Sequence, residues 1–241
     1  MVIVATMQNF PWDWWKLKQL KNISAYKILC IHEINTETLC NPVLKYFDAF
    51  NVVHGEMVPL LRKRLIKSSH LRGKPIFTLP YMVCEEYDQE KYFNPYYVVP
   101  GRIEKFRRDY SLLEGIEPLC FLGRPIGRYG RSVLHLADKT YDGYVEQDEY
   151  DDMLRGCRGI IAPLRNPTKG TNRFTREYYG TTKSCGAYWE AVRFRKPFVS
   201  NVPFDINYDG YTLTKWRDYF DEKVLSVLLD GADLPRSRSS I

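Results

Sequence analysis

Short apolar runs with the composition of buried β-strands alternate with helical segments along most of this 241-residue chain. The runs are rich in β-branched and aromatic residues, and turn-forming residues separate them. We predict strands at residues 1–7, 26–31, 50–53, 75–79, 96–99, 119–123, 159–164 and 197–204. Strands that alternate with helices pair in parallel, because each helix returns the chain to the same end of the sheet. The pattern therefore predicts an α/β fold with open parallel sheets.

Between these runs, caps and apolar periodicity predict helices. The helical segments lie at residues 12–20, 36–47, 57–68, 150–155, 184–195 and 212–229, and a further helix begins near residue 112. The segment at 212–229 is strongly amphipathic, because Trp216, Phe220, Val224 and Val227 share one face.

The segment from Glu85 to Asn94 is acidic and aromatic and has no apolar periodicity, and Pro95 follows it. Such a segment fits a linker between two domains. We therefore predict an N-terminal domain over residues 1–95, a C-terminal domain over 96–205, and a C-terminal helix with a tail over 206–241.

Composition narrows the class of protein without choosing a function. The net charge of +6 favours anionic partners. None of the six cysteines forms a C-x-x-C pair, so we expect reduced core cysteines and not a disulfide framework or a zinc site. No run reaches the roughly 18 apolar residues of a membrane span, and the first ten residues lack the features of a secretory signal. We expect a cytoplasmic protein.

The stretch YYVVPGRIEKFRRDYSLLEG, residues 96–115, carries the clearest chemical signal. A strand ends at Pro100-Gly101, and Arg102, Lys105, Arg107 and Arg108 follow within seven residues. Backbone N–H groups at a helix start, beside fixed guanidinium groups, form a site for a diphosphate. The alternative is a charged surface turn that binds no ligand.

The order of segments in the second half is more specific than any one of them. The strand and GRIEKFRRD are followed by FLGRP, DGYVEQDEYDDML, GIIAPL, a glycine-containing loop and KSCGAYWEAVRFRKPFVSN. In this order and spacing the chain resembles the C-terminal nucleotide-sugar domain of GT-B glycosyltransferases, in particular family 4 and its short members encoded by large algal viruses. The resemblance covers residues 96–203 well and 26–95 loosely. It implies two Rossmann-like domains that face each other across a cleft, with the first domain truncated.

The resemblance also implies roles for individual residues in the second half. Arg102 and Arg107, in the turn that begins at Gly101, fall on the positions that hold the donor diphosphate, and Arg108 is the adjacent alternative. Glu190, in YWEAVRFRKP, falls on the carboxylate that binds the ribose hydroxyls. The alternative for Glu190 is a solvated glutamate on a helix.

One family feature is missing. The first Glu of the family's E-x7-E pattern falls on Thr182. Its absence leaves Thr182, Lys183 and the backbone around Gly180 to hold the sugar or phosphate.

In the first half, His32 follows the strand at 26–31, in CIHEIN. The carboxyl end of a parallel strand is where α/β folds place ligands, and the family often has a histidine there that faces the sugar. The resemblance therefore gives His32 a catalytic role in binding or polarising the sugar, with Glu33 as the nearby carboxylate competitor. A structural histidine is the alternative.

Taken together, the resemblance implies a retaining hexosyltransferase that uses a nucleoside-diphosphate sugar and a glycan or glycoprotein acceptor, in the host cytoplasm if the chain is virus-encoded. GDP-mannose is favoured over UDP-sugars as the donor. No metal or other cofactor is expected, because Asp148, Asp151 and Asp152 fit the acidic start of a helix. The missing Glu and short first domain keep a non-catalytic nucleotide-sugar binder as the alternative. A nucleic-acid binder is disfavoured, because the basic residues are spread over separate segments.

Residues 60–74, LLRKRLIKSSHLRGK, are basic and partly amphipathic. A solvated helix face is one interpretation. Peripheral contact with anionic lipid or with a phosphorylated acceptor is the other. The sequence also leaves open whether the protein forms a homodimer.

Overall fold

The structure, a computed structural model, describes residues 2–6, 18–34, 42–65, 71–78, 85–88, 91–169, 176–202, 204 and 214–215. The chain divides into two compact units. The first unit contains Met1–Tyr81 and Lys169–Ser184, and the second contains Met82–Thr168 and Cys185–Ile241.

The first unit is built on a parallel sheet in which neighbouring strands follow chain order. Its strands are β1 (Val2–Thr6), β2 (Tyr26–Ile31), β3 (Ala49–Val52) and β4 (Ile76–Phe77). The α-helix α1 (Met57–Leu65) buries Met57, Leu61 and Leu65, which recur every four residues and so lie on one face. Two 3₁₀-helices, Lys18–Asn22 and Pro42–Tyr46, lie in the connections.

The second unit is built on a six-stranded parallel sheet. Its first four strands are β5 (Tyr97–Pro100), β6 (Leu119–Leu122), β7 (Lys139–Thr140) and β8 (Gly159–Ala162). The next strands along the chain, β9 (Thr168–Lys169) and β10 (Arg176–Glu177), form a separate two-stranded sheet, and β10 belongs to the first unit. Strands β11 (Phe198–Ser200) and β12 (Thr214–Lys215) complete the large sheet. The order β7-β6-β5-β8-β11-β12 is that of a doubly wound Rossmann-like sheet. The strand order reverses between β5 and β8.

Short helices connect the strands of the second unit. They are α2 (Gly127–Ser132), α3 (Gln147–Gly156), α4 (Gly186–Arg193) and the 3₁₀-helices Tyr110–Leu113 and Leu134–Leu136. Asp148 and Glu149 in the first turn of α3 and Arg155 in its last turn complement the helix dipole. The prediction of a mixed α/β fold with parallel sheets is confirmed.

The segment predicted to be a linker belongs to the second unit instead. Its backbone N–H at Glu85 donates to the Arg193 carbonyl at 2.7 Å, and the Asn94 side-chain amide donates to the Met153 carbonyl at 3.0 Å. These bonds fix both ends of the segment onto helices of the second unit. The division of the chain thus falls after Tyr81, not after residue 95, and residues 169–184 return to the first unit.

Two helix predictions differ from the structure. The segment after β5 forms only a 3₁₀ turn, Tyr110–Leu113, where a helix from Leu112 was expected. Within the predicted helix 212–229, Thr214–Lys215 is strand β12, paired in parallel with β11. The other residues of that segment lie outside the described part. So do residues 12–17 and 36–41 of the predicted helices at 12–20 and 36–47, whose residues 18–20 and 42–46 form 3₁₀ turns.

The helices in the described part of the chain are too short or too polar to cross a lipid bilayer.

Candidate functional site

The loops that follow β5 and β8 meet at the point where the strand order of the second unit reverses. The Asp109 N–H donates to the Pro163 carbonyl at 2.8 Å, and the Arg165 N–H donates to the Arg107 carbonyl at 3.0 Å. Open α/β sheets bind ligands in the crevice at the carboxyl ends of strands at such a switch point. The geometry therefore marks this edge as the candidate site of the second unit.

Gly101 allows the turn after β5 to lie close to its neighbours. Its φ of 88° is in the left-handed region, which favours glycine. A side chain at Gly123, in the next loop, would collide with the Gly101 carbonyl group. Two glycines thus bring the loops after β5 and β6 into direct contact.

Arg108 turns back onto this edge. One terminal nitrogen, Nη2, donates to the carbonyl oxygen of Pro100, the last residue of β5. The other, Nη1, is buried and has no hydrogen-bond partner among the described residues. Buried polar atoms are nearly always hydrogen-bonded, so an unpartnered guanidinium N–H marks a place that an anion can fill.

Arg102 and Arg107 lie at the surface of the same loop. Arg102 is exposed. The Arg107 side chain is 45% exposed, and its Nε lies 3.0 Å from a carboxylate oxygen of Glu104. The helix N-terminus expected beside them is absent in this described segment, because Tyr110–Leu113 is one 3₁₀ turn with the acidic Asp109 before it.

Glu190 lies on α4, which packs against β8. Burial raises the pKa of its carboxyl group to about 7, Arg193 opposes the shift, and Asp151 adds to it. Its buried oxygen Oε2 has no hydrogen-bond partner in the described part of the chain, and its ion pair with Arg193 Nη1 is long, at 3.9 Å. Glu190 is therefore a partly buried glutamate with one enclosed carboxylate oxygen, since its side chain is 18% exposed, and it differs from the solvated helical glutamate that was the alternative.

The pKa of the Tyr150 hydroxyl, on α3, depends on the charges of both Glu190 and Arg108. Burial raises the pKa of the Tyr150 hydroxyl, Glu190 raises it further, and Arg108 lowers it. The charges of Glu190 and Arg108 thus both act on the Tyr150 hydroxyl. A guanidinium group can bind a phosphate, and a carboxyl group can bind a hydroxyl group.

An ion-pair network holds the helices that carry Tyr150 and Glu190. Arg193 Nη2 donates to Asp151 Oδ2 at 2.7 Å, and Arg155 Nη2 donates to Glu85 Oε1 at 2.6 Å. Asp151 is thus occupied by Arg193. Within the described residues no group of His, Cys, Asp and Glu side chains could hold a metal ion.

In the first unit, His32 and His54 follow β2 and β3 at the carboxyl edge of the sheet, and both are buried. Burial lowers the pKa of His32, and the neighbouring Glu33 partly offsets this. Burial lowers the pKa of His54 to about 4, and the charge of His32 adds to the effect. Both imidazoles are therefore neutral at neutral pH and can exchange hydrogen bonds without carrying charge.

Lys183 does not have the surroundings expected of a sugar or phosphate ligand. Its side chain is 3% exposed, and its ammonium group donates to a carboxylate oxygen of Glu33 and, at 2.6 Å, to Glu177 Oε2. Glu177 is itself buried. Two carboxylates already surround the lysine charge, so this group is a buried ion cluster of the first unit.

Gly180 and Thr182 shape the turn that carries Lys183. Gly180 has a φ of 80°, and its N–H donates to the Lys183 carbonyl at 3.0 Å. Thr182 Oγ1 accepts the Tyr178 N–H at 2.8 Å, and its carbonyl accepts the Ile34 N–H at 2.8 Å. These bonds give both residues a structural role in the described turn, which belongs to the first unit, whereas Glu190 belongs to the second.

Sequence reasoning missed three residues of these sites. Tyr150 and Glu177 lie in polar segments with no motif, and only their burial and contacts identify them. His54 had a signal, because it follows the end of β3 as His32 follows the end of β2. In comparison with known proteins, no family model and no curated protein matches this chain.

Proposed function

We propose that the second unit binds the diphosphate and ribose of a nucleoside-diphosphate sugar at the carboxyl ends of β5 and β8, and that the protein is a retaining glycosyltransferase. One observation carries the proposal: at the switch point of a Rossmann-like sheet, Arg108 has a buried nitrogen without a hydrogen-bond partner among the described residues. A phosphate oxygen is the acceptor that such a group binds best.

Arg108 supplies the inner contact to the diphosphate in this proposal. Arg102 and Arg107, exposed on the same loop, approach the phosphate oxygens that remain near solvent. As the bond between the sugar and the diphosphate breaks, negative charge grows on the leaving oxygen, and fixed guanidinium groups stabilise it. Glu190 accepts hydrogen bonds from the ribose hydroxyls, which favours its ionised form.

The remaining parts of the proposal follow from the resemblance. The two units form a GT-B arrangement with a cleft, GDP-mannose is the first candidate donor, and the acceptor is a glycan in the cytoplasm. His32 binds or polarises the transferred sugar as a neutral imidazole, which its lowered pKa supports. Lys183 has no role in donor binding, because its ammonium group is paired inside the first unit.

Calorimetric titration without added metal tests donor binding. We expect one of GDP-mannose, UDP-glucose, GDP and UDP to bind, and Arg108→Gln to weaken binding by about 1.5–3 kcal/mol, the range for hydrogen bonds to charged groups. The matched control is Arg128→Gln, because Arg128 is exposed on α2. No binding by any of the four ligands, or equal losses in the two variants, contradicts the proposed site.

Glu190→Gln separates ribose from diphosphate recognition. We expect the variant to bind nucleoside diphosphates more weakly and inorganic pyrophosphate with unchanged affinity, because only the nucleotide carries a ribose. If both ligands bind as they do to the unaltered protein, the ribose role of Glu190 is wrong.

A non-catalytic nucleotide-sugar binder is the second candidate. It is favoured by the pairing of Lys183 and by the local hydrogen bonds of Thr182, which leave neither side chain directed at a donor. Release of free sugar from the bound donor distinguishes the two functions. Slow hydrolysis that His32→Ala reduces supports the transferase, whereas tight binding with no hydrolysis or transfer supports the binder.

A further inference from the structure

A cavity of about 600 Å³ lies in the first unit between the end of α1 and the residues that lead into β4. Its volume is in the range of small-molecule binding pockets. The cavity is lined by Arg62 and Leu65 of α1 and by residues 71–77. Neither the nucleotide site nor the buried ion cluster contributes to it.

Among the described residues that line the cavity, the charged ones are cations: Arg62, Arg72 and Lys74. Lys74 has a structural task, because its ammonium group donates to the carbonyl oxygens of Phe47 and, at 3.1 Å, Lys45. Arg62 and Arg72 are exposed at the rim. This described part of the lining therefore complements an anion.

The rest of the lining is mainly apolar. Leu65 and Leu71 are buried, whereas Ile76 and Phe77 are partly exposed toward solvent. A free phosphate ion gains nothing from an apolar surface of this kind. A ligand with a phosphate group next to hydrocarbon uses both halves of the lining.

The cavity lies at the edge of the sheet opposite to His32 and His54. The histidines follow the carboxyl ends of β2 and β3, whereas residues 71–75 precede the amino end of β4, which is parallel to β3. A ligand in the cavity therefore leaves the histidine edge clear.

We propose that this cavity is a docking site for the headgroup of an anionic phospholipid and attaches the first unit to a negatively charged membrane surface. Arg62 and Arg72 bind the phosphate, and Ile76 and Phe77 contact the glycerol and the upper part of the acyl chains. The proposal stands independently of nucleotide binding by the second unit.

Co-sedimentation with vesicles of phosphatidylcholine, with and without about one-third phosphatidylglycerol, tests the proposal. Each basic residue near an anionic surface contributes about fivefold to binding at 25 °C, so we expect the double variant Arg62→Gln/Arg72→Gln to bind about 25-fold more weakly. The matched control is Lys63→Gln. Lys63 is exposed on the same helix and does not line the cavity, so we expect a clearly smaller loss than in the double variant.

Three results would overturn the proposal. Equal binding to the two vesicle types, or no binding to either, excludes an anionic lipid as the ligand of the cavity. An equal loss in Lys63→Gln and in the double variant means that general basic charge is responsible. Displacement of the vesicles by inorganic phosphate at the same concentration as the lipid phosphate assigns the cavity to free phosphate.

A photoactivatable phosphatidylglycerol gives a second readout in the unaltered protein and so does not depend on how the variants fold. We expect cross-links in residues 62–77, and cross-links confined to other segments contradict the site. Nucleotide titration of the double variant completes the experiment. Unchanged nucleotide affinity with lost vesicle binding supports the lipid site, and lost nucleotide affinity shows that the substitutions act beyond the cavity and contradicts their assignment.

Discussion

Each of the two units contains its own parallel sheet, but the buried charged side chains of the two units have different surroundings. In the first unit, Lys183 is enclosed between Glu33 and Glu177, so its charge is paired within the protein. In the second, Arg108 and Glu190 each keep a buried atom without a hydrogen-bond partner in the described part of the chain. The strand order follows the chain among the described strands of the first sheet and reverses in the second. Glu177 of the first unit also keeps a buried oxygen, Oε1, without a partner among the described residues. The difference therefore lies in the buried cations, because Lys183 is paired with two carboxylates, whereas Arg108 Nη1 has no described partner at the edge where topology provides a crevice.

The largest expected effect comes from breaking the ion cluster of the first unit. Lys183→Met leaves two carboxylates without their counter-charge, and removing one partner of a buried ion pair costs about 3–5 kcal/mol of unfolding free energy. Urea unfolding measures the loss, with Lys63→Met as the exposed control. A loss below about 1 kcal/mol would mean that the cluster contributes no more than a surface pair.

The next largest effect is a loss of unfolding free energy at acidic pH that originates in the first unit. The pKa of His54 is about 4 in the folded protein, whereas an unperturbed histidine has a pKa of 6.5. Stability from keeping His54 neutral is therefore present above pH 6.5 and is lost as the pH falls toward 4, by about 3 kcal/mol. His54→Asn should remove this part of the acid destabilisation in unfolding curves at several pH values. His135→Asn, at an exposed histidine, should leave the pH dependence unchanged.

The smallest effect has the opposite sign and belongs to the second unit. The pKa of Glu190 is about 7 in the folded protein, whereas an unperturbed glutamate has a pKa of 4.5. Its contribution to stability is complete below pH 4.5 and is lost as the pH rises through 7. Glu190→Gln should therefore gain about 1–3 kcal/mol relative to the unaltered protein above pH 7, when the two are compared by urea unfolding. Glu114→Gln, at an exposed position, is the control, and an equal gain there would contradict the burial of Glu190.

The sequence predicted β1 to β6, β8 and β11 because each of them is a local apolar run, and alternation with helices implies parallel pairing. It did not predict the two-residue strands β7, β9, β10 and β12, which have no such run. It placed the domain division at residue 95, whereas the described contacts divide the chain after Tyr81. The difference arises because Glu85 and Asn94 bond to Arg193 and Met153, far away in the chain. The return of residues 169–184 to the first unit has the same origin. Polar segments carry no local signal of the surface on which they pack.

The candidate site was predictable only in outline. The basic loop after β5 was identified from its composition, but composition does not decide which arginine turns inward. That choice follows from the turn at Gly101, which brings Arg108 back to the Pro100 carbonyl while Arg107 pairs with Glu104 at the surface. Lys183 shows the converse, because a lysine in a polar loop is normally exposed. Its burial is explained by two carboxylate partners, Glu177 and the distant Glu33.

Amide hydrogen exchange with and without a saturating nucleoside diphosphate locates the ligand in the unaltered protein and so tests the nucleotide site of the second unit. We predict protection in residues 101–109 and 163–169, which follow β5 and β8, and in α4. Protection confined to residues 31–34 and 53–57 of the first unit, or bound nucleotide without protection at the second unit's switch point, would contradict it.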